Sequence, residues 1–137
     1  MDRTVYITSF DMDRLQSIID NHRSASPKIK EQTERLEKEL DKAVVVEPKD
    51  IPADVVTMNT KLRLLNETSG EEKIISLVFP SDADFDKNRI SVLALAGTAL
   101  LGCRVGDIVE WNVPSGTKRF RIIETLYQPE AAGHFSV

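Results

Sequence analysis

Residues 90–107 read ISVLALAGTALLGCRVGD. The β-branched start at Ile90-Ser91-Val92 predicts a strand. Residues 96–101 are too few for a full helix and too apolar to be exposed, so they predict one short helical turn packed on a sheet. Gly102 ends that turn, and Gly106-Asp107 leads into a new strand. No residue pattern in the stretch carries catalytic chemistry. It has the form of a compact docking element in a β-rich domain.

On the C-terminal side, residues 107–113 (DIVEWNV) predict a strand, 114–116 a tight turn and 117–127 a second strand, together a hairpin. On the N-terminal side the apolar period is two. Val56, Met58, Leu62 and Leu64 share one face, while Lys61 and Arg63 point the other way. Residues 66–71 form a turn around Gly70, and residues 73–79 (KIISLVF) a more buried strand stopped by Pro80. Residues 81–88 (SDADFDKN) form a polar loop, and residues 89–92 a third strand. An antiparallel sheet with one short helix against it is an α+β arrangement.

Ahead of the sheet the period changes to that of a helix. Val5, Tyr6 and Ile7 form a short lead-in strand. Ser9 is the expected N-cap, with Asp11 and Asp13 in the first turn, where the helix dipole favours acids. Met12, Leu15, Ile19 and His22 then line one helix face over roughly residues 10–22. Ser26-Pro27 starts a second helix, since proline at the first helical position loses no hydrogen bond. Its inner stripe is Ile29, Thr33, Leu36, Leu40 and Ala43. Its outer faces are charged, with Glu31–Arg35 and Glu34–Lys38 at the favourable i,i+4 spacing. Two stripes joined by a short turn make an antiparallel helical hairpin, a short coiled coil. The alternative is two helices packed separately on the sheet. The expected organisation is a hairpin over residues 1–46, a proline-bearing linker over 47–53 within the extended run VVVEPKDIP, and a β domain over 54–137.

Bulk properties narrow the function classes. The chain has 137 residues, net charge −4 and pI near 5.2. Direct nucleic-acid binding needs clustered cations, so an acidic chain fits it poorly and fits a basic patch on a protein partner better. The single Cys103 permits no internal disulfide, which suits a reducing compartment. The start MDRTVYITSF has no signal-peptide character, and no run approaches a membrane span. A cytoplasmic location is expected. A monomer is expected too, although an apolar hairpin stripe can also pack on a second copy.

A hairpin, a linker and a small sheet in that order resemble the Gre transcript-cleavage factors, whose C-terminal domain has the FK506-binding-protein-like fold. The likeness rests on Ile90-Ser91-Val92, Leu100-Leu101-Gly102, Gly106-Asp107 and the hairpin strand from Phe120 to Tyr127. Two more stretches, residues 54–59 (DVVTMN) and 127–133 (YQPEAAG), are similar to the Gre-related bacterial regulators of nucleoside diphosphate kinase. The resemblance implies binding to RNA polymerase at the rim of its secondary channel, with the C-terminal domain docking and the hairpin pointing toward the channel. Leu93, Ala94 and Leu95, together with Ser91, are then the docking candidates, with Asp86 and Asn88 as flanking polar contacts. Gre factors usually carry a Ser-Pro pair where this chain has Ala94-Leu95, so a preset turn is lost here. The bland reading is that these residues close the core.

The resemblance also sets a chemical test. Gre factors present acids at the tip of a long coiled coil, where they help hold a second metal ion at the polymerase's own active site. A first helix of about 13 residues is on the order of 20 Å long, well short of that pattern. The tip here is Arg23-Ser24-Ala25-Ser26-Pro27-Lys28, which has no acid and two cations. Asp20 lies a turn back and Glu31 a turn forward, too far apart to chelate together. A non-enzymatic regulator that competes with Gre factors without stimulating cleavage is the expectation. The alternative binding class is a hairpin-mediated interaction with another protein.

Other chemistries are weakly supported. Cys103 could act as a nucleophile with His134 as base, but no third orienting group is evident, and a buried cysteine acting as a small hydrophobe is the plainer reading. His22 and His134 are too few for a metal site, so neither metal nor cofactor is expected. A prolyl-isomerase pocket would need Phe79, Phe85, Trp111, Phe120 and Tyr127 to converge. Glu71-Glu72 and Asp82, Asp84 and Asp86 are loop acids explained by solvation. Residues 131–137 are expected to fray.

Overall fold

The computed structural model describes residues 4–22, 26–135 and 137. A short strand β1 (Tyr6–Thr8) runs directly into helix α1 (Ser9–Asn21), and helix α2 (Pro27–Lys42) returns antiparallel to it. The chain then forms β2 (Val44–Val46), which lies parallel to β1. The extended VVV run is therefore a strand that ties the two ends of the hairpin together before the prolines begin.

A five-stranded sheet follows in the order β5-β4-β3-β7-β6. Its strands are β3 (Lys61–Asn66), β4 (Glu72–Val78), β5 (Arg89–Ser91), β6 (Ile108–Val113) and β7 (Gly116–Tyr127), with helix α3 (Leu95–Leu100) between β5 and β6. The pairings are antiparallel except β4–β5, which is parallel. Residues 79–88 make this possible. Two 3-10 turns, Pro80–Asp82 and Phe85–Lys87, carry the chain back so that β5 runs the same way as β4. Side-chain alternation reports which face is buried and is silent on strand direction.

One hydrophobic core spans both halves. Leu15, Ile19, Leu36 and Leu40 from the hairpin join Val56, Met58, Leu62, Leu77, Val92 and Leu100 in a single buried cluster. The helical stripes are thus spent within one chain, and the period-three-and-four spacing that marks them is the cause. Val56 and Met58 are buried as expected but precede β3. The Val56 amide donates to the Cys103 carbonyl and its own carbonyl accepts from Gly102. Gly102, at φ +78°, has Val5 and Tyr6 so close that a Cβ would meet Val5 Cγ1 at 2.2 Å. This glycine is needed where β1 crosses the end of α3.

The N-cap of α1 is Thr8 rather than Ser9, its hydroxyl accepting from the Asp11 amide at 3.0 Å. Residues 128–134 do not fray. Gln128 is buried, donating to the carbonyls of Pro52 (2.7 Å) and Val55 (2.8 Å), and the His134 amide donates to Pro129. Glu130 accepts from the Thr57 hydroxyl at 2.7 Å. The two stretches 54–59 and 127–133, far apart in sequence, form one contact.

Candidate docking site

The 91–95 segment is a turn held from several sides. Strand β5 ends when the Val92 amide donates to Val78 O, and the Ala94 amide then closes the turn onto Ser91 O at 3.0 Å. The Ser91 hydroxyl accepts from the Leu93 amide at 3.1 Å, and the Thr98 hydroxyl donates to Val92 O at 2.6 Å. Gly97 packs so tightly that a Cβ would lie 2.1 Å from Ser91 O. Arg35, on α2, donates from Nη2 to the Leu93 carbonyl at 3.0 Å. This corrects the expected Glu31–Arg35 surface pair, because the guanidinium turns toward the 91–95 segment instead.

Of the candidates, Leu93 is only 6% exposed and belongs to the core. Ser91, Ala94 and Leu95 are half-buried, while Asp86 and Asn88 are exposed. Leu95 borders an open groove of about 310 Å³, shared with Arg35, Glu39, Thr98, Ala99 and Trp111. Asp86 and Asn88 stand on a loop braced by its own hydrogen bonds. Asp84 Oδ1 accepts from the Asp86 amide at 3.1 Å, the Asp84 and Arg89 backbones exchange two hydrogen bonds, and Asn88 closes the turn at φ +56°. Next to Asp86 stands Phe85, 83% exposed, an aromatic considered above only as a pocket residue. The signal was available in Phe85's setting: an aromatic among five polar neighbours has no alternating partner to share a buried face.

Of the expected hairpin tip, Arg23, Ser24 and Ala25 lie outside the described residues, and Ser26, Pro27 and Lys28 are exposed. The other end of the hairpin is different. Asp11 is 1% exposed, accepting from the Met58 amide at 3.0 Å and from Arg14 at 2.5 Å. The Arg14 guanidinium sits over the rings of Phe10 (4.1 Å) and Phe79 (4.6 Å). Burial pushes the Asp11 carboxyl above its ordinary range, against the opposing pull of Arg14 and the Met58 amide. Burial also raises Glu130, against the Thr57 hydrogen bond, and the Asp11 charge adds to the rise.

The remaining candidates separate. Cys103 is buried, with Sγ 3.3 Å from Ala99 O, whereas His134 is hydrogen bonded to Tyr127 at 2.7 Å. The five aromatics do not converge: Trp111 stacks on Phe120, Phe79 lies under Arg14, Phe85 is out in solvent and Tyr127 faces His134. Among the described residues no three His, Cys, Asp or Glu side chains gather as a metal site, and no helix is long and apolar enough to cross a membrane.

Compared with known proteins, residues 51–127 match the C-terminal domain of the transcription elongation factors GreA/GreB, and residues 3–46 match the Rnk N-terminus. The regulator of nucleoside diphosphate kinase of Escherichia coli strain K12 is 36% identical over 133 residues, covering 96% of each chain. GreA of Clostridium beijerinckii is 38% identical over 89 residues, which cover 65% of this chain and 56% of that one. A GreA/GreB elongation factor from Nitrosomonas europaea superposes with TM-score 0.75 at 40% identity, over 92% of this chain and 100% of the other. A GreA factor homologue of Thermus thermophilus shares the fold, with TM-score 0.50 and 23% identity over 91% of this chain and 100% of the other.

Proposed function

Because the chain belongs to the GreA/GreB family of transcription factors, and matches its regulators of nucleoside diphosphate kinase along nearly its whole length, we propose that it is a non-catalytic RNA polymerase-binding regulator. It docks at the rim of the secondary channel and competes there with Gre factors. The observation that carries this reading is the matched C-terminal domain, with its braced 91–95 turn beside a hydrogen-bonded loop. That loop presents Phe85, Asp86 and Asn88. An exposed aromatic on a hydrogen-bonded loop costs little backbone ordering on binding and makes an effective anchor. Ser91, Ala94 and Leu95 complete the contact, and Leu93 supports it from within the core.

The factor does not stimulate transcript cleavage. Helix α1 has 13 residues and is roughly 20 Å long, and the tip sequence, residues 23–28, contains no carboxylate for a catalytic metal. The link to nucleoside diphosphate kinase rests on the relatives' name and is read as an effect on transcription.

Retention of the full chain on core RNA polymerase, with and without excess Gre factor, tests the proposal. Retention that the Gre factor displaces is expected. No retention, or retention indifferent to the competitor, overturns the shared rim. Cleavage of a stalled transcript rising at stoichiometric protein overturns the non-catalytic half.

A further inference from the structure

We propose that Arg35 of the hairpin is a positioning residue for docking, holding the 91–95 turn in its binding shape. This rests on the reading of that turn as a polymerase contact. A proline here would preset the backbone. Ala94-Leu95 does not, so other groups hold the turn.

Three of the turn's polar groups are met locally. The Leu93 amide finds Ser91 Oγ, the Ala94 amide finds Ser91 O, and the Val92 carbonyl finds Thr98 Oγ1. The Leu93 carbonyl is met from 58 residues away, by Arg35 Nη2. The cost of this arrangement is visible, because Arg35 Nε is buried with no hydrogen-bond partner among the described residues. A guanidinium stripped of one water-facing bond is a poor device for stability alone. It is a good device for fixing one carbonyl relative to one helix, since the planar fork has few ways to reach its acceptor. Arg35 also lines the groove that Leu95 borders. The half-buried docking residues therefore take their positions from the hairpin as well as from the sheet. The hairpin acts on docking through its middle, by bracing the turn, and its tip is not required for that.

The test uses the full chain and core RNA polymerase. Arg35→Met keeps the length and apolar stem while removing the donor. Its affinity is expected to fall about tenfold, on the scale of one charge-assisted hydrogen bond. Arg35→Lys, which can still donate to the Leu93 carbonyl, should recover part of the loss. Ile19→Val is the control: a buried change elsewhere in the hairpin, it lowers the melting temperature while leaving affinity unchanged. In the free protein, amide exchange of residues 93–95 should quicken in Arg35→Met and not in Ile19→Val. Equal affinity of Arg35→Met and wild type, or equal losses in both variants, overturns the positioning role. So does unchanged exchange at the turn. Failure of the wild type to bind polymerase at all instead overturns the polymerase reading, while the exchange experiment still decides whether Arg35 holds the turn.

Discussion

The two ends of the hairpin follow opposite rules. At its base, buried polar side chains have specific partners, with Thr8 capping α1 and Asp11 holding the Met58 amide and Arg14, while midway along α2 the half-buried Arg35 holds the Leu93 carbonyl. At its tip, Ser26, Pro27 and Lys28 are exposed, and Ser26 starts α2 without a side-chain cap bond. A factor that worked by delivering chemistry from its tip would place its specific groups there. Among the described residues, they stand where the hairpin meets the sheet. These contacts fix how the hairpin sits on the β domain.

Asp11 carries the largest expected effect at the base. Replacing it with Ala leaves the Met58 amide without its acceptor and the Arg14 guanidinium without its counter-charge. A stability loss of roughly 2–3 kcal/mol in urea denaturation is expected. Asp11→Asn keeps an oxygen for Met58 and should lose less than half of that. If Asp11→Ala costs no more than a surface substitution, the base is not the specified end.

The pH dependence sharpens the same point. Asp11 and Glu130 are both held above their ordinary values of 3.8 and 4.5, so folding takes up protons at these positions. Their contribution to stability is complete below those ordinary values. It drains away as pH rises through the raised folded values. Glu130→Gln keeps an acceptor for Thr57 and removes the ionisation. Its melting temperature should therefore vary less than wild type between pH 4.5 and neutrality, with the gain at the neutral end. A slope identical to wild type would count against burial as the cause.

The legible part of this fold was the part written in local periods. Leu15 and Ile19, then Leu36 and Leu40, announced a hairpin with one buried face, and Ile90 to Gly102 announced a strand, a short helix and a stop. The groups that set the hairpin on the sheet were not legible, for one physical reason. Asp11 sits in the first turn of a helix, where an acid is already explained by the dipole, and its partner Met58 is 47 residues away. Arg35 looked like an ordinary solvated charge because its partner is 58 residues away. The parallel β4–β5 pairing was hidden similarly, since alternation reports burial and not direction. Of the candidate site, the turn was named through the family resemblance, while Phe85, an aromatic set among polar residues, took on weight once its exposure was seen. The resemblance motifs 54–59 and 127–133 were recognisable separately. Their meeting through Gln128 and Glu130 was not.

The finest test sets two caps against each other. Thr8 and Ser26 occupy the same formal position, one residue before a helix, and both are hydroxyl residues. Thr8 is 0% exposed and its hydroxyl accepts from the Asp11 amide, so Thr8→Ala should cost about 1–2 kcal/mol. Ser26 is exposed and makes no cap bond. Pro27 follows it and needs no acceptor, and the Ser26 carbonyl already serves Lys30 at 2.9 Å through the backbone. Ser26→Ala keeps that backbone bond and removes only a hydroxyl facing water, so its stability should stay within about 0.5 kcal/mol of wild type. Its retention on polymerase should be unchanged. Chemical denaturation of the two variants side by side reads the contrast directly. If Ser26→Ala costs as much as Thr8→Ala, the tip is as specified as the base. The hairpin would then have to be understood as a tool with a working end.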